Sequence, residues 1–215
     1  MRSASSEIPT ILGFDTAILS GSLAICAGAK TLYSKGSDVS RSETLLNQIE
    51  LGLEKCSLAV SDLDMIAVSV GPGSFTGIRI GIATALGLKR SRSIECLGIS
   101  LIEAMKMDGK SADRIIVLPV GRRQYLIEDN CDQAHSVDFV GSTKIVDESE
   151  LIARIERTKD TQYLFPKAEH NKEFFQPFVN IPNVEFCEST PAELICRTAI
   201  CGRASHDLTP IYVQR

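Results

Sequence analysis

At 215 residues the chain is long enough for one large domain or two similar halves, and its 44% hydrophobic and 23% charged residues exclude a disordered or fibrous protein. A formal charge of -4 disfavours a protein that grips a phosphate backbone unaided, because that affinity comes from clustered Lys and Arg. No apolar run reaches the ~18 residues that a spanning helix needs, and residues 1–7 lack the apolar core of a signal peptide, so the expectation is a cytoplasmic protein with no membrane contact.

The first half opens with a strand at Ile8 to Phe14, closed by Asp15-Thr16. Turns at Ser20-Gly21-Ser22 and Gly28-Ala29-Lys30 lead to strands over Leu23 to Ala27 and Thr31 to Ser34, which predicts an antiparallel meander. Ser40-Arg41-Ser42-Glu43 has the spacing of a capping box and starts a helix to about Cys56. Its apolar stripe is Leu46, Ile49, Leu53 and Cys56, with Leu45 beside it. Met65 to Val70 is a continuous apolar run suited to a strand buried on both faces. After Gly71-Pro72-Gly73, Ser74 caps a second helix that runs to about Leu88, with Lys89, Arg90 and Arg92 at its negative end. A strand at Ile94 to Ile99 and a helix from Ser100 to about Met107 follow.

The second half repeats the theme: strands at Arg114 to Leu118, Gln124 to Ile127 and Val137 to Val140, then a helix at about Glu148 to Arg157. A strand at Tyr163 to Phe165, helices near 168–176 and 190–204, and an extended tail from Pro210 to Arg215 complete it. A meander with helices given twice predicts a pseudo-duplicated α/β fold, on element order alone.

In the second helix, Gly77, Gly81 and Ala85 recur every four residues and form a bare ridge, while Ile78, Ile82 and Leu86 form a bulky one beside it. A bare ridge lets another helix approach closely, the alternative being that both helices merely cover their own sheet. Two packing faces need two partners, so the expected interface comprises Leu46, Ile49 and Leu53 on the first helix and Gly77, Ile78, Gly81, Ile82 and Ala85 on the second.

Residues 71 to 88, Gly-Pro-Gly-Ser-Phe-Thr-Gly-Ile-Arg-Ile-Gly-Ile-Ala-Thr-Ala-Leu-Gly-Leu, resemble the hallmark of the TsaB (YeaZ) family, as do Asp62-Leu63-Asp64-Met65-Ile66-Ala67-Val68 and the opening Asp15-Thr16. The resemblance implies the actin-like ATPase fold (ASKHA, ribonuclease H-like), with mixed five-stranded sheets and flanking helices in two lobes, here residues 1–110 and 111–215. It implies a non-catalytic subunit that binds and activates a TsaD-type catalytic subunit for threonylcarbamoyl transfer to adenosine beside the tRNA anticodon. Its implied partners are TsaD, a TsaE-type ATPase, a second copy of itself when alone, and tRNA only indirectly. Where the family shows Asp-Ala-Arg-Arg, this chain has Val120-Gly121-Arg122-Arg123, with Tyr125 shortly after; its closing Pro210-Ile211-Tyr212-Val213-Gln214-Arg215 is one residue longer than the family's ending.

Catalytic chemistry is hard to find. The resemblance places the catalytic subunit's metal on a His-x-x-x-His helix, where this chain offers Ser42 and Glu43. His135, His170 and His206 are scattered without ligand spacing. The seven cysteines, odd in number and without a Cys-x-x-Cys, read as buried thiols. Asp15 suits a turn cap over Ser20 to Ser22 better than a metal–phosphate site. No catalytic, metal or cofactor residue is therefore assigned. A Rossmann loop fails because Thr76 stands where glycine is required, and a nucleophile elbow at Ser74 fails at Pro72 and Thr76. Two alternatives remain open: a weak nucleotide-binding enzyme of actin-like fold, and a homodimeric regulatory protein.

Overall fold

A computed structural model of the protein describes residues 8–92, 94–108, 114–128, 143–167 and 172–212. Strands β1 (Thr10–Asp15), β2 (Ser22–Ala27) and β3 (Lys30–Lys35) form the expected antiparallel meander. β1 also pairs in parallel with β4 (Met65–Gly71), and β4 with β5 (Glu95–Ser100), which closes a five-stranded sheet in the order β3-β2-β1-β4-β5. Parallel neighbours need crossovers. Helix α1 (Ser42–Lys55) leads from β3 to β4, α2 (Phe75–Arg92) from β4 to β5, and α3 (Leu101–Lys106) follows β5.

The second sheet has the same plan. β6 (Arg114–Gly121), β7 (Gln124–Glu128) and β8 (Thr143–Asp147) are antiparallel, while β6, β9 (Gln162–Phe165) and β10 (Val184–Phe186) are parallel, in the order β10-β9-β6-β7-β8. Helices α4 (Glu148–Arg157), α5 (Lys172–Phe175) and α6 (Pro191–Ile200) take the positions that α1, α2 and α3 hold in the first half. The duplication expected from element order is thus present in strand order and direction.

Three apolar layers hold the structure. Between the sheets lie α3 and α6, where Leu101, Met105, Leu194 and Ile195 pack with Ile11 and Ala67 of one sheet and Ile116 and Leu164 of the other. α6 sits directly on β1 and β2, so the end of the chain packs on the beginning. Outside the first sheet, Leu45, Ile49 and Leu53 of α1 and Ala85 of α2 cover Leu12, Phe14, Ile25 and Ile66. Outside the second, Leu151 and Ile155 of α4 join Phe175 and Phe178 over Val117, Tyr125 and Phe165. Each sheet is covered on both faces, which explains why β4 is apolar throughout.

Three helix ends differ from the expectation. Ser40 does not cap α1: its N–H bonds to the Ser20 carbonyl at 3.0 Å, which removes the donor that Glu43 would reach, and Arg41 takes the cap position without a side-chain bond. α6 stops at Ile200 rather than near 204, because Gly202 turns left-handed (φ 69°) and bonds back to Ala199 at 3.2 Å. At the front of α6 the Thr190–Glu193 box forms, with Thr190 N–H donating to Glu193 Oε2 at 2.6 Å and Pro191 in the first turn. α2 continues past Leu88 to Arg92, which keeps Lys89, Arg90 and Arg92 in its last turn.

β8 and β10 are not predicted from sequence, and the strand expected at 137–140 lies outside the described residues. Cys26, Cys96, Cys187 and Cys196 are buried thiols as expected, whereas Cys56 is half-buried and Cys201 is exposed; Cys131 lies outside the described residues. Among the described residues no helix is long and apolar enough to cross a membrane.

Candidate functional site

The eight expected interface residues divide sharply. Ile49 and Leu53 are 3% and 4% exposed, spent on the chain's own sheet, while Leu46 is 54% exposed. On α2, Gly77, Ile78, Gly81 and Ala85 are all buried, and Ile82 is half-buried against the layer between the sheets. In the single chain this ridge packs inward, against the chain's own turn and sheet, and not toward solvent. A Cβ on Gly77 would run into the carbonyl oxygen of Thr16, and one on Gly81 would lie 2.5 Å from Thr16 Oγ1 and 3.2 Å from Val68 Cγ2. The closeness that the glycines allow is used by the turn after β1, whose Thr16 hydroxyl donates to the Gly77 carbonyl at 2.7 Å.

What α1 and α2 turn outward is different. Leu46 and Leu51 are exposed on α1, and Phe75 and Leu86 on α2. A side chain at Gly87 would meet nothing within 4 Å, so this second bare position faces outward. The two helices are neighbours with opposite charge. α1 exposes Glu43, Glu50 and Glu54 against Lys55 alone, whereas α2 contains no acidic residue and exposes Arg79, Lys89 and Arg90. At the start of α2 the Arg79 guanidinium lies over the Phe75 ring, 4.1 Å from its centroid. The tail completes this corner: Ile211 N–H donates to the Val70 carbonyl at 2.7 Å, and the Tyr212 and Phe75 ring centroids stand 4.9 Å apart. Residues 213–215 lie outside the described residues.

A cleft of about 300 Å³ opens between the halves. Thr16, Ser40, Ser74 and Thr76 give it hydroxyls from one side, and Pro119, Val120, Gly121 and Phe174 form the other wall. Among the described residues no charged side chain lines it. Asp15 does not reach into it. Its carboxylate is fully buried, accepting from the Ala17 N–H at 2.8 Å, the Ile18 N–H at 3.4 Å and the Ser69 hydroxyl. Asp15 thus caps the turn, but at Ala17 and Ile18 rather than over Ser20 to Ser22. Burial outweighs those bonds and pushes its pKa up to about 6. Tyr125 donates to the Phe174 carbonyl at 3.3 Å and so fixes the far wall; burial first, then Glu148, pushes its pKa up to about 12.

Ser74 acts as a cap, accepting from the Gly77 N–H at 3.3 Å. His206 lies at the surface 3.6 Å from Glu95, while His135 and His170 are outside the described residues. Among the described residues no group of three His, Cys, Asp or Glu side chains could hold a metal ion.

Residues 38–193 match the family model described as TsaD: tRNA N6-adenosine threonylcarbamoyltransferase. The chain is 36% identical to the tRNA threonylcarbamoyladenosine biosynthesis protein TsaB of Buchnera aphidicola over 44% of this chain and 46% of that protein. It is 39% identical to Bacillus subtilis TsaB over 30% of this chain and 28% of that protein. These matches span half or less of the named relatives. An uncharacterized protein of Mycobacterium tuberculosis is 26% identical over 97% of this chain and 93% of its own length. Among solved structures, YeaZ from Pseudomonas aeruginosa superposes with a TM-score of 0.61 at 19% identity, covering 95% of this chain and all of that one. The Acidaminococcus fermentans (R)-2-hydroxyglutaryl-CoA dehydratase component A follows at a TM-score of 0.52 and 8% identity, over 90% of this chain and 97% of that one. Both likenesses show the fold, the actin-like arrangement of two mixed sheets with flanking helices.

Proposed function

We propose that this chain, which belongs to the TsaB (YeaZ) family, takes part in forming threonylcarbamoyladenosine in tRNA as a subunit without catalysis of its own. In this reading it binds and activates a TsaD-type subunit, meets a TsaE-type ATPase and touches tRNA only through its partners, in the cytoplasm. The matching family model carries the transferase's name, whereas the named relatives are TsaB. The helix that would hold the transferase's histidine pair carries Ser42 and Glu43, which favours the part played by the TsaB relatives.

The observation that carries the reading is the outward face of α1 and α2. It combines exposed leucines with a carboxylate-rich helix beside a purely cationic one. Such a face fits a partner that sets cations opposite α1 and carboxylates opposite α2, and complementary potentials of this kind steer association. A second copy turned by a two-fold axis meets the same requirement, α1 against α2, so a homodimer forms on the same face when the catalytic subunit is absent. The cleft contributes hydroxyls and backbone, which gives the nucleotide-enzyme alternative little to work with.

Co-expression with the TsaD-type subunit of the same host tests this. The expected result is a complex stable in size-exclusion chromatography at low salt and weakened at high salt. Co-elution unchanged by Leu86→Glu, or sustained nucleotide turnover by the isolated chain, would overturn it.

A further inference from the structure

Two buried thiols meet where the last helix rests on the first sheet. Cys26 is the last residue but one of β2 and Cys196 lies on α6; they are 3% and 0% exposed. Their meeting is built into the sheet. Cys26 pairs with Ile11 and Ala24 with Gly13, so Cys26 and Gly13 present the same face two positions apart. Gly13 lacks the side chain that would collide with Cys196 Sγ, and the sulfur occupies that space. The two thiols hydrogen-bond one another. The Thr31 hydroxyl stands 3.9 Å from Cys26 Sγ, and Glu193 and Arg197 are the charges that face the pair.

We propose that Cys26 and Cys196 form a reversible disulfide that fastens α6 to the first sheet, with a hydroperoxide as the oxidant. The Cys26 thiolate attacks a peroxide oxygen; the S–O bond forms, the O–O bond breaks, and water leaves after protonation. Cys196 then attacks the sulfenic sulfur and expels a second water, so two thiols and one hydrogen peroxide give one disulfide and two waters. The pair is asymmetric in the direction this order needs. The hydrogen bond from Cys196 holds the Cys26 thiol below its ordinary range, while that bond and burial push Cys196 up. Because α6 also packs in the layer between the sheets, the bond would tie the end of the chain to its beginning.

The test is hydrogen peroxide treatment of the full chain carrying Cys201→Ser, which removes the exposed thiol, followed by digestion without reduction and mass spectrometry. The expected product is a peptide containing Cys26 linked to one containing Cys196, lighter by two hydrogens and released by dithiothreitol. The thermal midpoint should rise by roughly 5–10 °C on oxidation. Cys26→Ser and Cys196→Ala should each abolish the linked peptide and the shift, and the wild-type chain mapped in the same way guards against a folding defect in the variants. A peroxide dose that oxidises half-buried Cys56 but leaves Cys26 and Cys196 as thiols overturns the proposal, as does Cys26 linked to any other cysteine.

Discussion

The outer faces of the two sheets are covered by helices in equivalent positions but of different chemistry. Over the second sheet, Tyr125, Phe165, Phe174, Phe175, Phe178 and Phe186 interlock, mostly edge to face, with centroids 4.9 to 6.4 Å apart. Large rings fill that layer from within. Over the first sheet the cover is aliphatic and thin: Leu45, Ile49, Leu53 and Ala85 face inward, and α2 lies so close that glycines are needed beneath it. The same two helices keep Leu46, Phe75 and Leu86 outside. One cover is finished within the chain; in the other, α2 turns glycines and Ala85 inward while both helices keep leucines and charge on the outer surface. A duplicated topology can therefore divide labour between its halves by side-chain size and charge.

That contrast is broken most severely from the aromatic side. Phe165 is fully buried among four other rings, so Phe165→Ala should cost about 3–5 kcal/mol in denaturant unfolding. A loss below about 1 kcal/mol would mean that the layer collapses around the gap and is not the fixed cover described here. On the other side the decisive residue is Gly81. Gly81→Leu should cost about 3 kcal/mol or more, because the new side chain meets Thr16 and Val68 in packed surroundings. Near-parental stability in the same titration would return the bare ridge to the partner-facing role that its spacing suggests.

The hairpin turns of the two halves differ as well. The turn after β1 is held by buried Asp15, whereas the turn after β6 is held by Arg123 in a left-handed conformation (φ 51°), its carbonyl accepting from Glu148 N–H at 3.2 Å. With a folded pKa of about 6 against an ordinary 3.8, native Asp15 holds its proton more tightly than the unfolded chain does. Its contribution is fully present below about pH 4 and is lost as pH rises through 6, by up to about 3 kcal/mol. Asp15→Asn, which cannot ionise, should therefore gain stability relative to the parent between pH 4 and 7. A difference between the two proteins that stays flat across that range would show that Asp15 titrates normally.

Much of this was legible in particular residues. The unbroken apolar run at Met65 to Val70 marks a strand covered on both sides, and Thr190-Pro191-Ala192-Glu193 has the spacing that starts the helix expected from 190. The three-residue β10 and the polar Thr143-Lys144-Ile145-Val146-Asp147 of β8 carry too little pattern to stand out, since pairing with β9 and β7 makes them strands. The spacing of Gly77, Gly81 and Ala85 announced a close approach but not what approaches. Periodicity describes one face of one helix, and the neighbour was the turn at Thr16, far away in sequence. The meeting of Cys26 and Cys196 was invisible for the same reason; only strand register and the missing side chain at Gly13 bring them together.

The smallest stability effect is expected where the effect on association is largest. Leu46 and Leu86 are 54% and 47% exposed, so replacing each by glutamate removes little buried surface and should change folding by no more than about 0.5 kcal/mol. Leu86→Glu sets a carboxylate one turn before Lys89 and Arg90 and lowers the positive charge of the cationic helix; Leu46→Glu adds to the carboxylates of α1. If apolar contact alone drives association, both variants should lose the partner equally in sedimentation or size-exclusion measurements. If the opposed charges also set orientation, Leu86→Glu should lose more, and raising the salt should narrow the difference. Variants that both associate as the parent does would move the contact to another face and leave the outward leucines as ordinary surface.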